Sequence, residues 1–369
     1  MNMKPKVAVF ASLGPPPYVG GVQNVVDTLL RSSLGDSFEF SVFDTYRVPN
    51  PERSLLAKFA YVPKLMSSCW THLRDKRPAL IHIHFCSRAD FWKHSICLFI
   101  AHVLGIRVIF HLHGGSFDSF YAGLNPMLQW LARVIFRAPQ CVVALSRFWE
   151  EYLATLVRRE RIRIVNNPID CERLAPAGSR NPDVDPPTIL LLGSLGKRKG
   201  HYDVLGALPL VLEYHPSVKV LFAGSDEDPG ATEDLQLLAA DLEVKNHISF
   251  LGPVAFEPKT RLLQTATIMV LPSYGENMPI SVLEAMAARM PVIATRVGAL
   301  PEVLDEGKAG ILIEPGEQKA LAKAIVQLLD DPQAASQMGK VAGARAQSLW
   351  DVKSIAQRVV DLYQEVLSR

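Results

Sequence analysis

Ser273-Tyr-Gly-Glu-Asn-Met-Pro-Ile-Ser-Val-Leu-Glu-Ala-Met-Ala287 decides how this chain is read. The residues before it, 266–271, read as a short buried strand, 272–275 as a turn, and Pro279 as the first residue of a helix. Glu276 then lies just before the helix, among its unpaired backbone N–H groups. Glu284 falls about one and a half turns in, where it reaches the same crevice from the helix side. Free N–H groups and the positive end of a helix suit a diphosphate, while carboxylates beside them suit the hydroxyls of a sugar and a ribose. The stretch therefore predicts a strand, turn and helix of an α/β sheet with a sugar-nucleotide site at its mouth.

The same alternation extends along the whole chain. Short apolar runs at 7–11, 38–43, 80–84, 107–112, 141–145 and 162–165 predict six strands in the first half. Runs at 188–192, 219–223, 247–251, 268–271, 292–294 and 310–313 predict six in the second. Amphipathic stretches between them are the crossover helices that parallel strands require. Residues 175–187 are rich in Pro, Gly, Asn and Asp and read as a linker. The expectation is two doubly wound α/β domains, 1–174 and 188–350, followed by a terminal helical segment, 351–369.

Other candidate chemistry lies after predicted strands, where an open α/β sheet binds ligands. Gly193-Ser-Leu-Gly-Lys-Arg-Lys-Gly200 is a glycine turn carrying Lys197, Arg198 and Lys199 at a helix entrance, a natural cradle for a diphosphate. Gly224, in Phe-Ala-Gly-Ser-Asp, and Val254, in Ser-Phe-Leu-Gly-Pro-Val, follow two further strands. In the first half, Gly20 and Gly21 let backbone approach a phosphate after the first strand. No GxGxxG fingerprint occurs, which weakens an oxidoreductase reading. His82 with His84, and His111 with His113, form two HxH pairs, each on one strand face. They lack acidic or cysteine ligands at tight spacing, so no metal is expected; one member of each pair is expected to be satisfied structurally and the other to face the cleft.

Glu276, seven residues, Glu284 and Ala-Met-Ala resemble the signature of the family 4 retaining glycosyltransferases, which have the GT-B fold. The resemblance implies two Rossmann-like domains facing across a cleft, with the last helix returning to the first domain. It implies that Glu276 and His113 contact the donor sugar, that Glu284 holds the ribose, and that Lys199 meets the diphosphate. Gly193, Gly224, Val254, Asn277, Met278 and Pro279 would line the donor. The chain departs from the family at Ser194, where an Arg is usual, and at Asn277-Met278, where glycine and an aromatic are common. The activity implied is retaining transfer of a hexose-like sugar from a nucleotide diphosphate to a saccharide or lipid-linked saccharide, in surface-polysaccharide synthesis, without metal or other cofactor. The rival readings are an epimerase or phosphorylase on the same architecture, and a catalytically silent binding module.

Composition bounds the rest. The 369 residues are 49% apolar with a formal net charge of +2, enough for two folded domains. Five cysteines without a CxxC pair argue for reduced thiols in a cytoplasmic compartment. The apolar run 7–13 is too short for a signal peptide and reads as the first strand. Residues 96–110 are interrupted by His102, Gly105 and Arg107, so no bilayer span is expected. Residues 1–170 hold 20 Lys and Arg against 12 Asp and Glu, whereas 171–369 hold 19 against 25. A basic half suggests an anionic partner, and with a nucleotide-sugar site a membrane surface or lipid pyrophosphate is favoured over nucleic acid. Residues 53–66 mix cationic and apolar side chains and are expected to lie on an anionic leaflet, with Pro63 limiting them to a short helix.

Overall fold

Each of the twelve apolar runs forms a strand in a computed structural model that describes residues 4–14, 20–47, 61–176 and 186–369, and each boundary falls within one residue of expectation. In the first half the strands are β1 (Lys6–Ala11), β2 (Glu39–Asp44), β3 (Leu80–Phe85), β4 (Arg107–Leu112), β5 (Cys141–Ala144) and β6 (Ile162–Ile164). In the second they are β7 (Thr188–Leu192), β8 (Lys219–Ala223), β9 (Ile248–Gly252), β10 (Ile268–Leu271), β11 (Val292–Thr295) and β12 (Ile311–Ile313). All the pairings are parallel, and each half forms its own six-stranded sheet.

The described helices of the first half are α1 (Gly21–Leu30), α2 (Leu34–Ser37), α3 (Tyr61–Lys76), α4 (Ala89–Val103), α5 (Phe117–Ala122), α6 (Pro126–Arg137) and α7 (Arg147–Leu153). Those of the second are α8 (Cys171–Leu174), α9 (His201–Tyr214), α10 (Ala231–Asp241), α11 (Phe256–Thr265), α12 (Ile280–Ala287), α13 (Leu300–Val303), α14 (Gln318–Asp330) and α15 (Pro332–Leu349). The last helix is α16 (Val352–Ser368). The chain divides into one unit of residues 1–168 with 352–369 and another of 169–351.

The first sheet runs β2-β1-β3-β4-β5-β6. Alternation puts Ile83, Phe85, Phe110 and Leu112 on the face covered by α3 to α7, where Phe91, Ala132, Phe136 and Trp149 complete a buried core. The other face carries His82, His84 and His111. Tyr363 of α16 reaches His82 there, and Arg163 pairs with Glu365, so the last helix packs within the first unit.

The second sheet runs β12-β11-β10-β7-β8-β9, with its core of Leu191, Val220, Phe222 and Val270 packed against Leu205, Leu208 and Ile325. Its strand order reverses between β7 and β10. Loops leaving adjacent strands in opposite directions open a crevice at such a point.

Three expectations need correction. Residues 169–174, expected with the first domain, belong to the second unit, because Ile169 bridges to Asp351 and Arg173 of α8 pairs with Glu257. Pro279 is extended (φ −69°, ψ 118°) and caps α12 instead of beginning it. Pro63 does not limit its helix: it sits in the first turn of the 16-residue α3, where an N–H has no helical partner to lose. Residues 53–60 of that segment, and 177–185 of the linker, lie outside the described residues.

Candidate active site

The switch point of the second sheet brings together the two loops singled out in the sequence. Residues 193–200 leave β7 and residues 272–279 leave β10, and at their meeting Lys199 Nζ lies 2.6 Å from Glu276 Oε1. Ser273 Oγ donates to the same oxygen at 2.8 Å, and Arg198 Nη1 stands 3.9 Å away. The side chains of Lys199 and Glu276 are only 13% and 7% exposed. A charge so buried is tolerated because it is paired and hydrogen-bonded.

The backbone enforces this meeting. Gly200 has φ +79° and caps α9, and a Cβ there would lie 2.1 Å from the Pro272 carbonyl oxygen. Gly298 has φ +54°, and its Cβ would lie 1.9 Å from the Glu276 carbonyl oxygen. Only glycine supplies both the left-handed backbone and the space. Tyr274 N donates to the Arg198 carbonyl, and Thr295 Oγ1 donates to the Ser273 carbonyl, which joins the loops after β7, β10 and β11. His201, buried behind the first loop with Nδ1 3.2 Å from Gly196 O, is pushed down by burial to about 4 and is neutral at pH 7.

The other expected donor residues distribute unevenly around this pair. Arg198 is half-buried and held by Glu227 at 2.5 Å, whereas Lys197 is exposed with its ammonium over the Tyr202 ring. Gly193 and Ser194 are half-buried in the loop, and Gly224, whose N–H donates to Gly252 O, ends the neighbouring strand. Asn277 and Met278 are buried beside Glu276. Val254 is half-buried beyond β9. Gly20 and Gly21 are exposed at the start of α1 in the first unit.

Glu284 is buried on α12, and its Oε1 accepts from Lys259 Nζ of α11 at 2.5 Å. Sequence reasoning missed Lys259. Nothing in its neighbourhood marks it, since the pairing joins side chains 25 residues apart on two different helices.

In the first unit the two HxH pairs form one group, of which His82, His84 and His111 are buried. His82 Nδ1 is 2.7 Å from the Tyr363 hydroxyl and its Nε2 3.1 Å from His111 Nδ1; His84 Nδ1 is 2.9 Å from His113 Nε2. Burial pushes His82 and His113 down to about 3, and His84 and His111 well below the usual range, with neighbouring imidazoles adding to the effect at His82, His84 and His111. Ring nitrogens of His82, His84 and His111 lie within 4.8 Å of one another, so neutral imidazoles are gathered in a way that can hold a cation. Of the four, His113 alone is half-exposed, at the carboxyl end of β4.

Residues 19–173 match the family described as Glycosyltransferase Family 4, and residues 177–345 match Glycosyl transferases group 1. The chain is 26% identical to a glycogen synthase of Mycobacterium tuberculosis over 79% of its own length and 69% of the relative's. It is 33% identical to a D-inositol 3-phosphate glycosyltransferase of Streptomyces griseus over 48% of its length and 39% of the relative's, so it spans well under half of that protein. Sucrose-phosphate synthase from Thermosynechococcus elongatus superposes with a TM-score of 0.83 at 21% identity, covering 99% of this chain and all of that one. HepE from Anabaena, in complex with UDP and glucose, superposes with a TM-score of 0.76 at 17% identity over 97% of this chain and 99% of its own. At these identities the two superpositions establish the fold.

Proposed function

Because the chain belongs to the glycosyltransferases, with a family 4 domain followed by a group 1 domain on the GT-B fold, we propose that it moves a sugar from a nucleotide diphosphate to a saccharide or lipid-linked saccharide, with retention of configuration and without metal. The observation that carries this reading is the Lys199–Glu276 pair at the switch point of the second sheet. Each group satisfies the other. A diphosphate entering the loop after β7 would take the Lys199 ammonium, and the carboxylate so released would accept hydrogen bonds from hydroxyls of the donor sugar.

The chemistry follows from that exchange. The bond from the anomeric carbon to the phosphate oxygen breaks, leaving positive charge on the sugar and negative charge on the diphosphate. Lys199, Arg198 and the N–H groups at the starts of α9 and α12 stabilise the departing anion. The acceptor hydroxyl attacks from the side the diphosphate leaves and gives its proton to the departing oxygen. Glu284, with its Lys259 partner, holds the ribose. With cations meeting the diphosphate, no metal or other cofactor is needed.

We place the protein in the cytoplasm, on the membrane face where lipid-linked acceptors are elongated. Its five cysteines, all free, suit a reducing compartment, and among the described residues no helix is long and apolar enough to cross a membrane. The test is release of nucleotide diphosphate from a panel of nucleotide sugars, with the anomeric configuration of the product read by NMR. Release that depends on an acceptor and gives a retained anomer supports the proposal. Donor binding without turnover on any acceptor would favour a silent binding module instead.

A further inference from the structure

The helices covering one face of the first sheet carry an outer surface that the fold leaves apolar. Of the seventeen large apolar side chains exposed among the described residues, ten belong to α3, α4, α6 and α7: Val62, Met66 and Trp70, then Phe99 and Val103, then Met127, Trp130, Leu131 and Val134, then Phe148. All four helices bury their inner sides in the same core, through Leu65, Phe91, Phe136 and Trp149. Their outer sides therefore belong to one layer, away from the histidine face and from α16.

The spacing is that of helix stripes. On α6, Met127, Trp130, Leu131 and Val134 recur at i, i+3, i+4 and i+7, with Met127 70% and Trp130 65% exposed, opposite the buried Ala132 and Phe136. On α3, Val62, Met66 and Trp70, each 38–40% exposed, recur at i, i+4 and i+8 along the edge of the stripe that buries Leu65, Cys69 and Leu73. Scattered single apolar residues need no explanation, but an outward stripe on one helix with further exposed apolar residues on the helices that share its core does.

Charge identifies what they meet. Residues 61–161, which contain this layer, hold 13 Lys and Arg against six Asp and Glu. The α6 helix has Arg133 and Arg137 and no acidic residue, and Arg161 donates to the Arg137 carbonyl at its carboxyl end. A second copy docked on the same face would set these cations against their own kind. An anionic bilayer complements them, accepts Trp and Met among the headgroups, and needs no shaped groove.

We propose that the outer surface of this helix layer, centred on α6, is the surface by which the protein docks on an anionic lipid bilayer. The proposal names the surface behind the membrane part of the proposed function and rests on that part alone. It is independent of which sugar is moved.

The test uses the full chain and vesicles of phosphatidylcholine with or without phosphatidylglycerol, in sedimentation at low and high salt. The wild type is expected to pellet with the anionic vesicles alone and to be released by salt. Met127→Ser with Trp130→Ser is expected to weaken partitioning about tenfold or more, as the loss of two buried apolar side chains implies. Arg133→Gln with Arg137→Gln is expected to remove most of the anionic preference. Val341→Ser, an exposed apolar site on the second unit, serves as the control and should bind as the wild type. All these sites are exposed, so melting temperature and the thermal shift with nucleotide sugar should not change, which keeps this test separate from that of the transfer reaction. Failure of the wild type to bind anionic vesicles at low salt overturns the membrane reading. Undiminished binding by the Met127 and Trp130 variant overturns the choice of face, and a concentration-dependent dimer abolished by that variant assigns the face to self-association.

Discussion

Replacing Lys199 by Met should reveal two separable roles for one side chain. The substitution keeps the length of the stem and removes the ammonium 2.6 Å from Glu276, leaving a carboxylate that is 7% exposed with Ser273 as its close partner and Arg198 at 3.9 Å. Breaking a buried pair by removing one member costs about 3–5 kcal/mol. Because the Ser273 bond and the Arg198 charge remain, the lower end applies, about 3 kcal/mol. For a unit the size of residues 169–351, a loss of 1 kcal/mol lowers the melting temperature by about 2–4 °C, so the donor-free transition of that unit should fall by about 6–12 °C in scanning calorimetry. Adding Glu276→Gln removes the stranded charge and should return the transition to within about 1 kcal/mol of the wild type. Turnover behaves otherwise: removing one stabilising contact to a developing anion costs about 10² to 10³ in rate, and the double variant should stay as inactive as the single. A Lys199→Met protein as stable as the wild type, or a double variant no more stable than the single, would show that the pair does not do what its geometry implies.

Other outcomes test the rest of the site. Arg198→Ala should lower turnover at least tenfold, while Lys197→Ala, whose ammonium faces Tyr202 at the surface, should stay near wild type in the same assay; the reverse result would relocate the diphosphate. Glu284→Gln should weaken donor binding by about 1.5–3 kcal/mol, about tenfold to a hundredfold by titration calorimetry, since a charged acceptor for ribose hydroxyls is lost. His82 is held neutral with its pKa lowered from 6.5 to about 3, so its contribution is fully present above pH 6.5 and is lost as pH falls toward 3. At pH 5 the loss is about 2 kcal/mol for this one side chain, and the melting transition of the first unit should drop more steeply between pH 6.5 and 5 than in a His82→Gln variant. Exhaustive chelation should leave turnover unchanged; a loss restored by a divalent ion would point to the His82, His84 and His111 group as its site.

The sequence alone determined the elements and the local unit at Glu276. Twelve strands were legible because each is a run of apolar residues between turn formers, and a strand buried on both faces needs no more than that pattern. The relation of Glu276 to the mouth of α12 was legible because the two are neighbours along the chain, set by helix geometry. Tertiary structure decided which loops meet. Lys199 and Glu276 are 77 residues apart, and they pair only because β10 inserts beside β7 so that the sheet reverses order there. The partners of Glu284 and His82 were hidden for the same reason: Lys259 lies on another helix, and Tyr363 is 281 residues away on a helix that returns to the first unit. Periodicity fixes which face of an element is buried. What that face is buried against follows from strand order and crossover path, which are settled by the packing of the whole sheet and leave no mark at the residues concerned.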